Sequence, residues 1–486
     1  MSARRIVGAS LIAMAACGGD TTPSQPVQQQ PTGPSIKVVS GDRITDTVQA
    51  FIPTPLVLEV RDSTGRLAVR RHVTFQGSVA LLSSRSDQFT FLGTTLLDST
   101  DASGRVTIYV RFWTTPGAMT VAAKVGALNV VDTARYTVLP GVATKLEMAP
   151  DDTALYAQNG FNVRAVVRDR LNNVRNEPIA FTAGPLAVNV TSAGRVTAGD
   201  IGRVFVAATA GSLVDTTWVS IVPHGSVAGF FDCSPGGLTG LGVMELDGSG
   251  ARIIGTSNGV YDYPISPSWS PDGQKIAYST GSHVHVTDMS GADRRLTTVT
   301  TPSIEMIPRF SVDGTWIWYS AGNEWPRVDL WRARADFSGS PERVGPGVQP
   351  ASGYNLYWQP IAFPDGRVAF LDGGYGMHLL NAATGDFPFI KGSVHGARYS
   401  GLRNQIAFVE YGASGTVNVM NRDGTGSRVI SPKGRSYYEV TATDWSPDGQ
   451  WILASADDAE LINYSTGLVL PLRFACGPKF MAWRPN

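Results

Sequence analysis

The last four residues of the chain, WRPN at 483–486, repeat the start of a segment that occurs in full further upstream. The complete form is WSPDGQKIAY at 269–278, and it returns as WSPDGQWILA at 445–454. Looser copies begin at Phe310, Phe363 and Tyr399. The final copy has an aromatic strand and the start of a turn, but no second strand. Because a lone strand leaves its hydrogen-bonding groups unpaired, this truncated copy predicts that its partner strands come from a distant part of the chain.

Each copy predicts four short β-strands. After the aromatic strand, Pro presets the first turn position and Gly accepts the positive φ of a tight reversal. A second strand follows at 275–279, and two more strand-like segments lie at 283–289 and 294–297. The aromatic residues that begin the copies are spaced by about 36–53 residues, which suits the four-stranded blades of a propeller. A stack of such blades exposes its end edges unless it closes, so six copies predict a closed ring.

The C-terminal residues would supply the inner strand of one blade. Its other three strands are predicted at 227–233, 241–246 and 251–255. The N-terminal and C-terminal strands of the ring would then share one sheet. We therefore predict that residues 224–486 form a six-bladed β-propeller closed by its C-terminal strand.

The repeat resembles that of the TolB-type six-bladed propellers. The copies at Trp269 and Trp445 match it closely, whereas the copy at Tyr399 lacks Pro-Asp-Gly. TolB-type propellers bind partner proteins of the bacterial envelope, so the resemblance implies a role of that class. It implies the fold more strongly than the function, because propellers carry many unrelated activities.

The composition favours an all-β protein without a nucleic-acid partner. Lysine plus arginine equals aspartate plus glutamate, 40 against 40, so no net charge attracts the chain to nucleic acid or to an anionic membrane. Glycine is abundant, with 53 residues, and helical periodicity is absent, which indicates strands throughout.

The N-terminus has the pattern of an export signal. Arg4 and Arg5 precede a short apolar stretch at 6–16, which is too short to span a bilayer. The small residues ahead of Cys17 resemble the lipobox of bacterial lipoproteins. This resemblance implies that residues 1–16 are a lipoprotein signal peptide and that Cys17 becomes the lipid-modified first residue; a plain secretory signal with an incidental cysteine is the alternative.

Membrane attachment and location follow from that resemblance. Several acyl chains anchor a protein stably where a single chain does not. The residue after Cys17 is not Asp, which in Gram-negative lipoproteins favours the outer membrane, on either its periplasmic or its surface face. Residues 17–35 are rich in Pro, Gln and Thr and are predicted to form a disordered tether.

Two copies of a second module precede the propeller. LEVRD at 58–62 parallels VVRD at 166–169, and SGRVT at 103–107 parallels AGRVT at 193–197. Alternating strands with frequent turn signals predict two β-sandwiches in tandem, at 36–140 and 141–223. They resemble bacterial Ig-like domains, which implies a spacer or an adhesive surface; a bare spacer is the simpler interpretation.

Cys233 and Cys476 flank the two strands that would close the ring. An exported compartment permits a disulfide between them, and that bond would staple the ring at its seam. The alternative is that they are two unrelated small core residues.

Aromatic and acidic residues cluster in the loops that enter the inner strands and in the loops between second and third strands. Such clusters are typical of recognition surfaces, and the mouth of a propeller is a usual binding place. The alternative is that these rings pack between blades. The candidate binding face comprises Tyr261, Tyr263, Glu305, Trp325, Tyr354, Tyr357, Trp358, Tyr375, His395, Tyr437, Tyr438 and Glu439.

No catalytic, metal or cofactor site is predicted. GTSNG at 255–259 matches the pattern of a nucleophile elbow, but no helix follows it. His283 and His285 would face the same way on one strand, yet zinc needs further ligands. An enzyme working on envelope polysaccharide, a lyase or glycosidase, would need two facing carboxylates, for which Glu305 and Glu439 are the candidates.

The sequence thus favours a lipid-anchored cell-envelope binding protein. Its ligand would be an envelope protein, a peptide or a glycan. The polysaccharide-cleaving enzyme and a purely architectural envelope protein remain the alternatives.

Overall fold

A computed structural model of the chain describes residues 33–485, apart from short stretches in both sandwich modules and in the region that follows them. The described ranges are 33–87, 90, 93–184, 188–232, 239–255, 266–297, 304–324, 327–344, 359–372, 375–381, 384, 386–410, 415–437, 442–455, 459–472, 474 and 479–485. These residues form strands and turns, with a single turn of 3-10 helix at Gly126–Leu128. This confirms the prediction of an all-β protein. No described helix has the length and apolarity to cross a membrane.

The chain divides into two compact units. One holds the described part of Met1–Ala143 together with Arg168–Arg175, and the other holds Thr144–Val167 with the described part of Asn176–Asn486. The predicted boundary at residue 223 lies inside the second unit. Most of the second sandwich module therefore belongs to the same compact unit as the ring of sheets that follows.

The first unit contains two sheets around one apolar core. Their strands are β1 Ser35–Ser40, β2 Thr45–Thr47, β3 Phe51–Arg61, β4 His72–Gly77, β5 Ala80–Ser83, β6 Thr95–Ser99, β7 Arg105–Phe112, β8 Gly117–Val125 and β9 Val130–Leu139. The sheet orders are β1-β3-β7-β5 and β2-β9-β8-β4-β6. Buried side chains alternate along β4 and β7, so each sheet turns one face to the core that contains Phe75, Ile108 and Phe112.

The turns of this unit are fixed by aspartates. Asp62 accepts hydrogen bonds from the N–H groups of Thr64 at 2.8 Å and Arg66 at 3.1 Å. Asp101 binds the N–H groups of Ser103 at 2.8 Å and Arg105 at 3.0 Å in the same way. An aspartate that binds the backbone two residues ahead stabilises a tight turn, which explains the Asp-x-x-Gly pattern of the sequence.

The following strands form three further sheets. They are β10 Ala143–Ala149, β11 Thr153–Tyr156, β12 Gly160–Asn162, β13 Arg164–Asp169, β14 Val174–Arg175, β15 Ala180–Ala183, β16 Asn189–Val190, β17 Arg195–Thr197, β18 Gly202–Ala210 and β19 Leu213–Val222. The sheet orders are β10-β13-β14, β12-β17-β16 and β11-β19-β18-β15.

Six four-stranded antiparallel sheets make up the rest of the second unit. Their strands are β20 Ser226–Asp232, β21 Thr239–Glu245, β22 Arg252–Gly255, β23 Ser268–Trp269, β24 Lys275–Thr280, β25 His283–Asp288, β26 Asp293–Arg295, β27 Ile304–Phe310, β28 Trp316–Glu324, β29 Arg327–Arg334, β30 Glu342–Arg343, β31 Gln359–Ala362, β32 Val368–Leu371, β33 Met377–Leu380, β34 Phe389–Lys391, β35 Val394–Ser400, β36 Gln405–Glu410, β37 Thr416–Asn421, β38 Arg428–Val429, β39 Ala442–Trp445, β40 Trp451–Ser455, β41 Ala459–Asn463, β42 Val469–Leu472 and β43 Lys479–Trp483. Five of the sheets consist of consecutive strands, and the sixth has the order β22-β21-β20-β43.

The C-terminal strand pairs with the first strand of this region. Trp483 lies opposite Val227, and Ala482 lies opposite Ala228, in an antiparallel ladder. The N–H of Arg484 adds a hydrogen bond of 2.9 Å to the carbonyl of Ser226. The strands missing from the last repeat are thus supplied by residues that lie far upstream in the sequence.

Apolar clusters join each sheet to the next. One holds Trp269 and Ile276 of the second sheet against Ala228 and Leu241 of the first. Comparable clusters bridge the other successive pairs of sheets. A further cluster packs Leu453 and Leu461 of the last sheet against Val227 and Met481 of the first. The first and last sheets are therefore neighbours, as the blades of a propeller are.

Hydrogen bonds within the turn explain why the Trp-Ser-x-Asp-Gly segment recurs in the sequence. The Ser446 hydroxyl donates to the Asp448 carboxylate at 2.5 Å and accepts from the N–H of Trp451 at 2.9 Å. Gly449 has a φ of +65°, which a residue with a Cβ adopts at a cost. The same bonds recur around Ser270. Two of the tryptophans also bridge sheets, because the indole N–H of Trp445 donates to the carbonyl of Arg398 at 3.2 Å and that of Trp269 to the carbonyl of Ala482 at 3.1 Å.

Candidate functional site

Six equivalent residues of the repeats surround one central cavity. Each of them comes immediately before the aromatic residue of its copy and lies on, or at the end of, the inner strand of its sheet. We call them the ring positions. They are Ser268, Arg309, Ala362, Arg398, Asp444 and Ala482. The cavity that they line, which we call the central cavity, has a volume of about 330 Å³. It is contained within the second unit and is reached by all six inner strands.

Bulges in the inner strands precede two of the charged ring positions. The pairing of β27 with β28 shifts register between Met306 and Arg309, and Ile307 has a φ of +53°. The pairing of β35 with β36 shifts in the same way between His395 and Arg398, with Gly396 at +58°. A bulge bends its strand and re-aims the side chain that follows. The same kind of bulge therefore orients both arginine side chains.

Arg309 donates hydrogen bonds to Ser266 and to the carbonyl of Pro308. Its side chain is 5% exposed. One terminal nitrogen, Nη1, donates to the carbonyl of Ser266 at 3.0 Å, and Nη2 donates to the Ser266 hydroxyl at 2.5 Å. The remaining nitrogen, Nε, is buried and has no hydrogen-bond partner among the described residues. A buried donor without a partner costs free energy.

Arg398 has a similar surplus of donors. It is 9% exposed, and its Nη1 donates to the carbonyl of Ala397 at 3.1 Å. Its Nη2 is buried without a partner in the described part of the chain. Burial lowers the pKa of both guanidinium groups, and the positive charge of Arg398 lowers the pKa of Arg309 further. Repulsion between the two guanidinium groups therefore adds to the free-energy cost of burying them in the charged form.

Asp444 is the only acidic residue among the described residues that line the central cavity. Its Oδ1 accepts a hydrogen bond from the N–H of Trp445 at 2.9 Å, and its Oδ2 accepts one from the N–H of Trp483 at 2.8 Å. Burial raises the pKa of this carboxyl, and the charge of Arg398 acts in the opposite direction. One carboxylate faces two guanidinium groups, so the lining carries one unbalanced positive charge.

The rim of the central cavity is apolar. Leu402 is 68% exposed and Val312 is 41% exposed. Pro271 and Pro447, from the turns of two first hairpins, and Pro485, which follows β43, also belong to the lining. A charged floor under an apolar rim is the composition of a ligand pocket, in which a few polar groups fix orientation.

Most residues of the predicted binding face lie outside the described residues. They are Tyr261, Tyr263, Trp325, Tyr354, Tyr357, Trp358, Tyr438 and Glu439. The same holds for Cys17, Cys233 and Cys476. The binding face, the lipid attachment and the disulfide therefore stay predictions at these positions.

The structure brings two residues of the predicted face together. The rings of Tyr375 and His395 are 5.7 Å apart in an edge-to-face arrangement. The N–H of Val394 donates to the carbonyl of Tyr375 at 2.9 Å, which joins the loop of one sheet to the inner strand of the next. Tyr375 is exposed, so this pair is a surface feature.

Tyr437 packs between blades instead of facing solvent. It is buried in the cluster that contains Val409 and Ile452. Its hydroxyl lies 3.1 Å from the Glu460 carboxylate. For Tyr437 the packing alternative is therefore the better interpretation, because an aromatic ring enclosed by two sheets offers no surface to a ligand.

Glu305 is also removed from any open surface. Its carboxylate accepts a hydrogen bond from the Thr297 hydroxyl and one from the N–H of Val284 at 3.2 Å. Its own N–H donates to the carbonyl of Ser282 at 2.7 Å. Burial raises the pKa of this carboxyl, and the bond from Thr297 opposes the rise. Glu305 thus ties the second and third sheets together, and this corrects its placement on the binding face.

The ring positions were not among the residues expected at a binding mouth. The predicted face uses loops at the ends where the inner strands begin, whereas the central cavity lies at the ends where they finish. A sequence signal for it does exist. When the repeats are aligned on their aromatic residues, the preceding residue is Ser, Arg, Ala, Arg, Asp and Ala, and charge at half of the positions of an apolar inner strand is unusual.

Comparison with solved structures returns propellers. TolB from Acinetobacter baumannii is 17% identical, with a TM-score of 0.44, over 64% of this chain and 83% of that chain. The putative TolB from Agrobacterium tumefaciens is 14% identical, with a TM-score of 0.38, over 53% of this chain and 92% of that one. A gluconolactonase from Xanthomonas campestris is 16% identical, with a TM-score of 0.33, over 43% and 75%.

These similarities concern the fold and carry no functional conclusion. No protein-family model and no curated protein matches the sequence. The ring of sheets is therefore defined by its strand pairing and its apolar clusters alone.

Proposed function

We propose that the protein is a lipid-anchored binding protein of the bacterial cell envelope. In this proposal Cys17 carries the lipid, residues 17–35 form a tether, and two Ig-like domains at 36–140 and 141–223 form a stalk. The six-bladed propeller at 224–486 is the recognition module. Its ligand is an envelope protein, peptide or glycan, and the location is the outer membrane.

The central cavity is the observation that carries this proposal. It is enclosed by the inner strands of six sheets, has charged groups on its floor and has exposed apolar residues on its rim. Concave sites of this kind, with a few convergent polar groups, are where proteins bind ligands.

The acidic residues at the central cavity favour a binding role over glycoside cleavage. A glycosidase needs two carboxylates on either side of the scissile bond. Within the part of the lining that the structure describes, Asp444 is the only acid, and both of its oxygens already accept backbone hydrogen bonds. Glu305, the other described candidate, is buried between sheets.

Site-specific photo-crosslinking in intact cells tests the recognition role. A photoreactive residue at Leu402 stands on the rim of the central cavity, and one at Val429 serves as the matched control. Both residues are exposed and apolar, but Leu402 lies in the turn between β35 and β36, whereas Val429 lies on β38, the outermost strand of the same sheet. We expect a discrete adduct from position 402 alone. Equal labelling from both positions would argue against recognition at the central cavity.

The lipid anchor has a separate test. The variant Cys17→Ser should leave the protein soluble after cell fractionation, whereas the unchanged chain should sediment with membranes and incorporate labelled fatty acid. Incorporation of labelled fatty acid by the variant would remove Cys17 as the attachment site.

A further inference from the structure

We propose that the central cavity binds a carboxylate that is carried on an apolar group, such as the free end of a peptide. This inference rests on the proposed function, because it names the chemistry of the group that the central cavity receives. It starts from Arg309 and Arg398, which both line that cavity and which both hold a buried N–H group with no hydrogen-bond partner among the described residues.

The described hydrogen-bond acceptors do not satisfy all the N–H groups of Arg309 and Arg398. A guanidinium has five N–H donors in a planar fork. The described bonds of Arg309 go to Ser266 and to the carbonyl of Pro308, and the described bond of Arg398 goes to Ala397. Asp444 could have bound either arginine, but its oxygens accept the N–H groups of Trp445 and Trp483 instead. A bound oxyanion would satisfy the donors that are left.

The charge of the lining selects a monoanion. Two guanidinium groups and one carboxylate leave a single positive charge in a buried place. A carboxylate carries one negative charge and matches the planar fork of arginine with two parallel hydrogen bonds. Phosphate groups carry more than one negative charge on average at pH 7, so inorganic phosphate would leave the lining with excess negative charge.

The rim indicates what the carboxylate is attached to. Leu402 and Val312 are exposed apolar side chains at the edge of the central cavity, beside three prolines. Covering such side chains removes apolar surface from water, which favours binding by about 25 cal/mol per Å². A ligand with an apolar group next to its carboxylate would use both the floor and the rim.

The experiment compares two probes that differ only in charge. N-acetyl-leucine and N-acetyl-leucinamide have the same apolar part, but only the first is an anion. They are titrated into the full chain, and binding is followed by tryptophan fluorescence, because Trp269, Trp445 and Trp483 line the central cavity. We expect the acid to bind about tenfold more tightly than the amide, which is the effect of one or two charge-assisted hydrogen bonds.

Two variants assign the effect to the ring positions. Arg398→Gln removes the unbalanced charge, so this variant should bind N-acetyl-leucine and N-acetyl-leucinamide with about equal affinity. Ala362→Asp leaves both arginines in place but adds a second carboxylate at another ring position, with the same expected result. Arg422→Gln is the matched control, because Arg422 pairs with Asp365 at 2.9 Å at the protein surface and should keep the preference.

The outcomes are distinct. If the unchanged protein binds acid and amide equally, the carboxylate assignment is wrong, whether or not any variant folds. If inorganic phosphate binds more tightly than N-acetyl-leucine, the site is a phosphate site and the assignment is again wrong. Capture of a partner from position 402 without a preference for the acid would overturn this inference alone. A preference for the acid without any captured partner would overturn the macromolecular recognition and leave the carboxylate site.

Discussion

The hydroxyl of Tyr156 accepts a hydrogen bond of 3.0 Å from the N–H of Leu246. Tyr156 belongs to the second sandwich module, and Leu246 directly follows β21, the second strand of the first propeller sheet. The same hydroxyl lies 2.7 Å from the carbonyl of Gly225 and 2.9 Å from Glu245 Oε2. The ring itself packs in the cluster that contains Val227 and Met244. One side chain thus joins the module to the sheet that contains the C-terminal strand.

The substitution Tyr156→Phe tests this joint. It removes the hydroxyl but keeps the ring, so we expect a loss of about 1 kcal/mol in the free energy of unfolding. Tyr156→Ala also removes the ring and should cost about 3–5 kcal/mol. Urea unfolding followed by tryptophan fluorescence measures both. Val214→Ala, at an exposed position of the same module, should change stability by less than about 0.5 kcal/mol, and an equal cost there would remove the joint as the cause.

The closing strand should be as important to stability as the core of any sheet. Trp483 is buried in the cluster shared by the first and last sheets and sits opposite Val227. Trp483→Ala leaves a large cavity at the seam, and we expect a loss of about 3–5 kcal/mol in unfolding free energy. Because a weakened seam exposes the edge of β20, the variant should also aggregate more readily on heating.

Thermal unfolding with light scattering measures both effects. The control is Phe389→Ala, which removes an aromatic ring from the outermost strand of another sheet, where the side chain is 63% exposed. That change should cost less than about 1 kcal/mol. If the two variants lose the same stability, the seam has no special role.

The repeat pattern made the architecture of the ring predictable. Turn chemistry at Ser270 and Ser446, aromatic residues at a fixed place and a truncated last copy are all local signals, and local signals survive in a single sequence. The boundary near residue 223 was harder to place. The contacts of Tyr156 and Ser220 with the propeller depend on where two distant surfaces meet, and no local pattern encodes that.

The site was predictable only in part. Aromatic residues such as Tyr437 are enriched both in recognition surfaces and in cores, so composition could not separate the two. Glu305 follows the same logic, because a carboxylate that joins two sheets has the same sequence appearance as one at a pocket. Arg309 and Arg398 needed knowledge of the bulges at Ile307 and Gly396, which turn an apparently ordinary strand residue toward the central cavity.

Acid should destabilise the propeller through its turns. Hydrogen bonds from Ser270 and Ser311 lower the pKa of Asp272 and Asp313 in the folded state. A carboxyl whose pKa is lower when folded contributes stability above its unfolded pKa, and this contribution is lost as the pH falls through the folded value. Glu305 and Asp444 act in the opposite sense, because burial raises their pKa. The turn aspartates are more numerous, so we expect unfolding free energy to fall between about pH 5 and pH 2.

The double variant Asp272→Asn and Asp313→Asn isolates the turn contribution. Its stability should depend less on pH than that of the unchanged chain across the same interval. Urea unfolding at a series of pH values measures the slopes. Parallel slopes for the two proteins would show that the acid sensitivity has another origin.

A disulfide at the seam is the last prediction, and the described strands add an argument for it. Phe230 and Lys479 are paired opposite each other. Cys233 comes three residues after Phe230, and Cys476 comes three residues before Lys479. Both cysteines lie outside the described residues, so the prediction rests on their equal distances in the sequence from this pair. Mass spectrometry of the exported protein, with thiols blocked before digestion, should find a peptide pair joined through these cysteines.

The variant Cys476→Ser should lose about 2–5 kcal/mol of stability under oxidising conditions and match the unchanged chain in the presence of reductant. Alkylation of both cysteines in the untreated protein would show that no such bond forms.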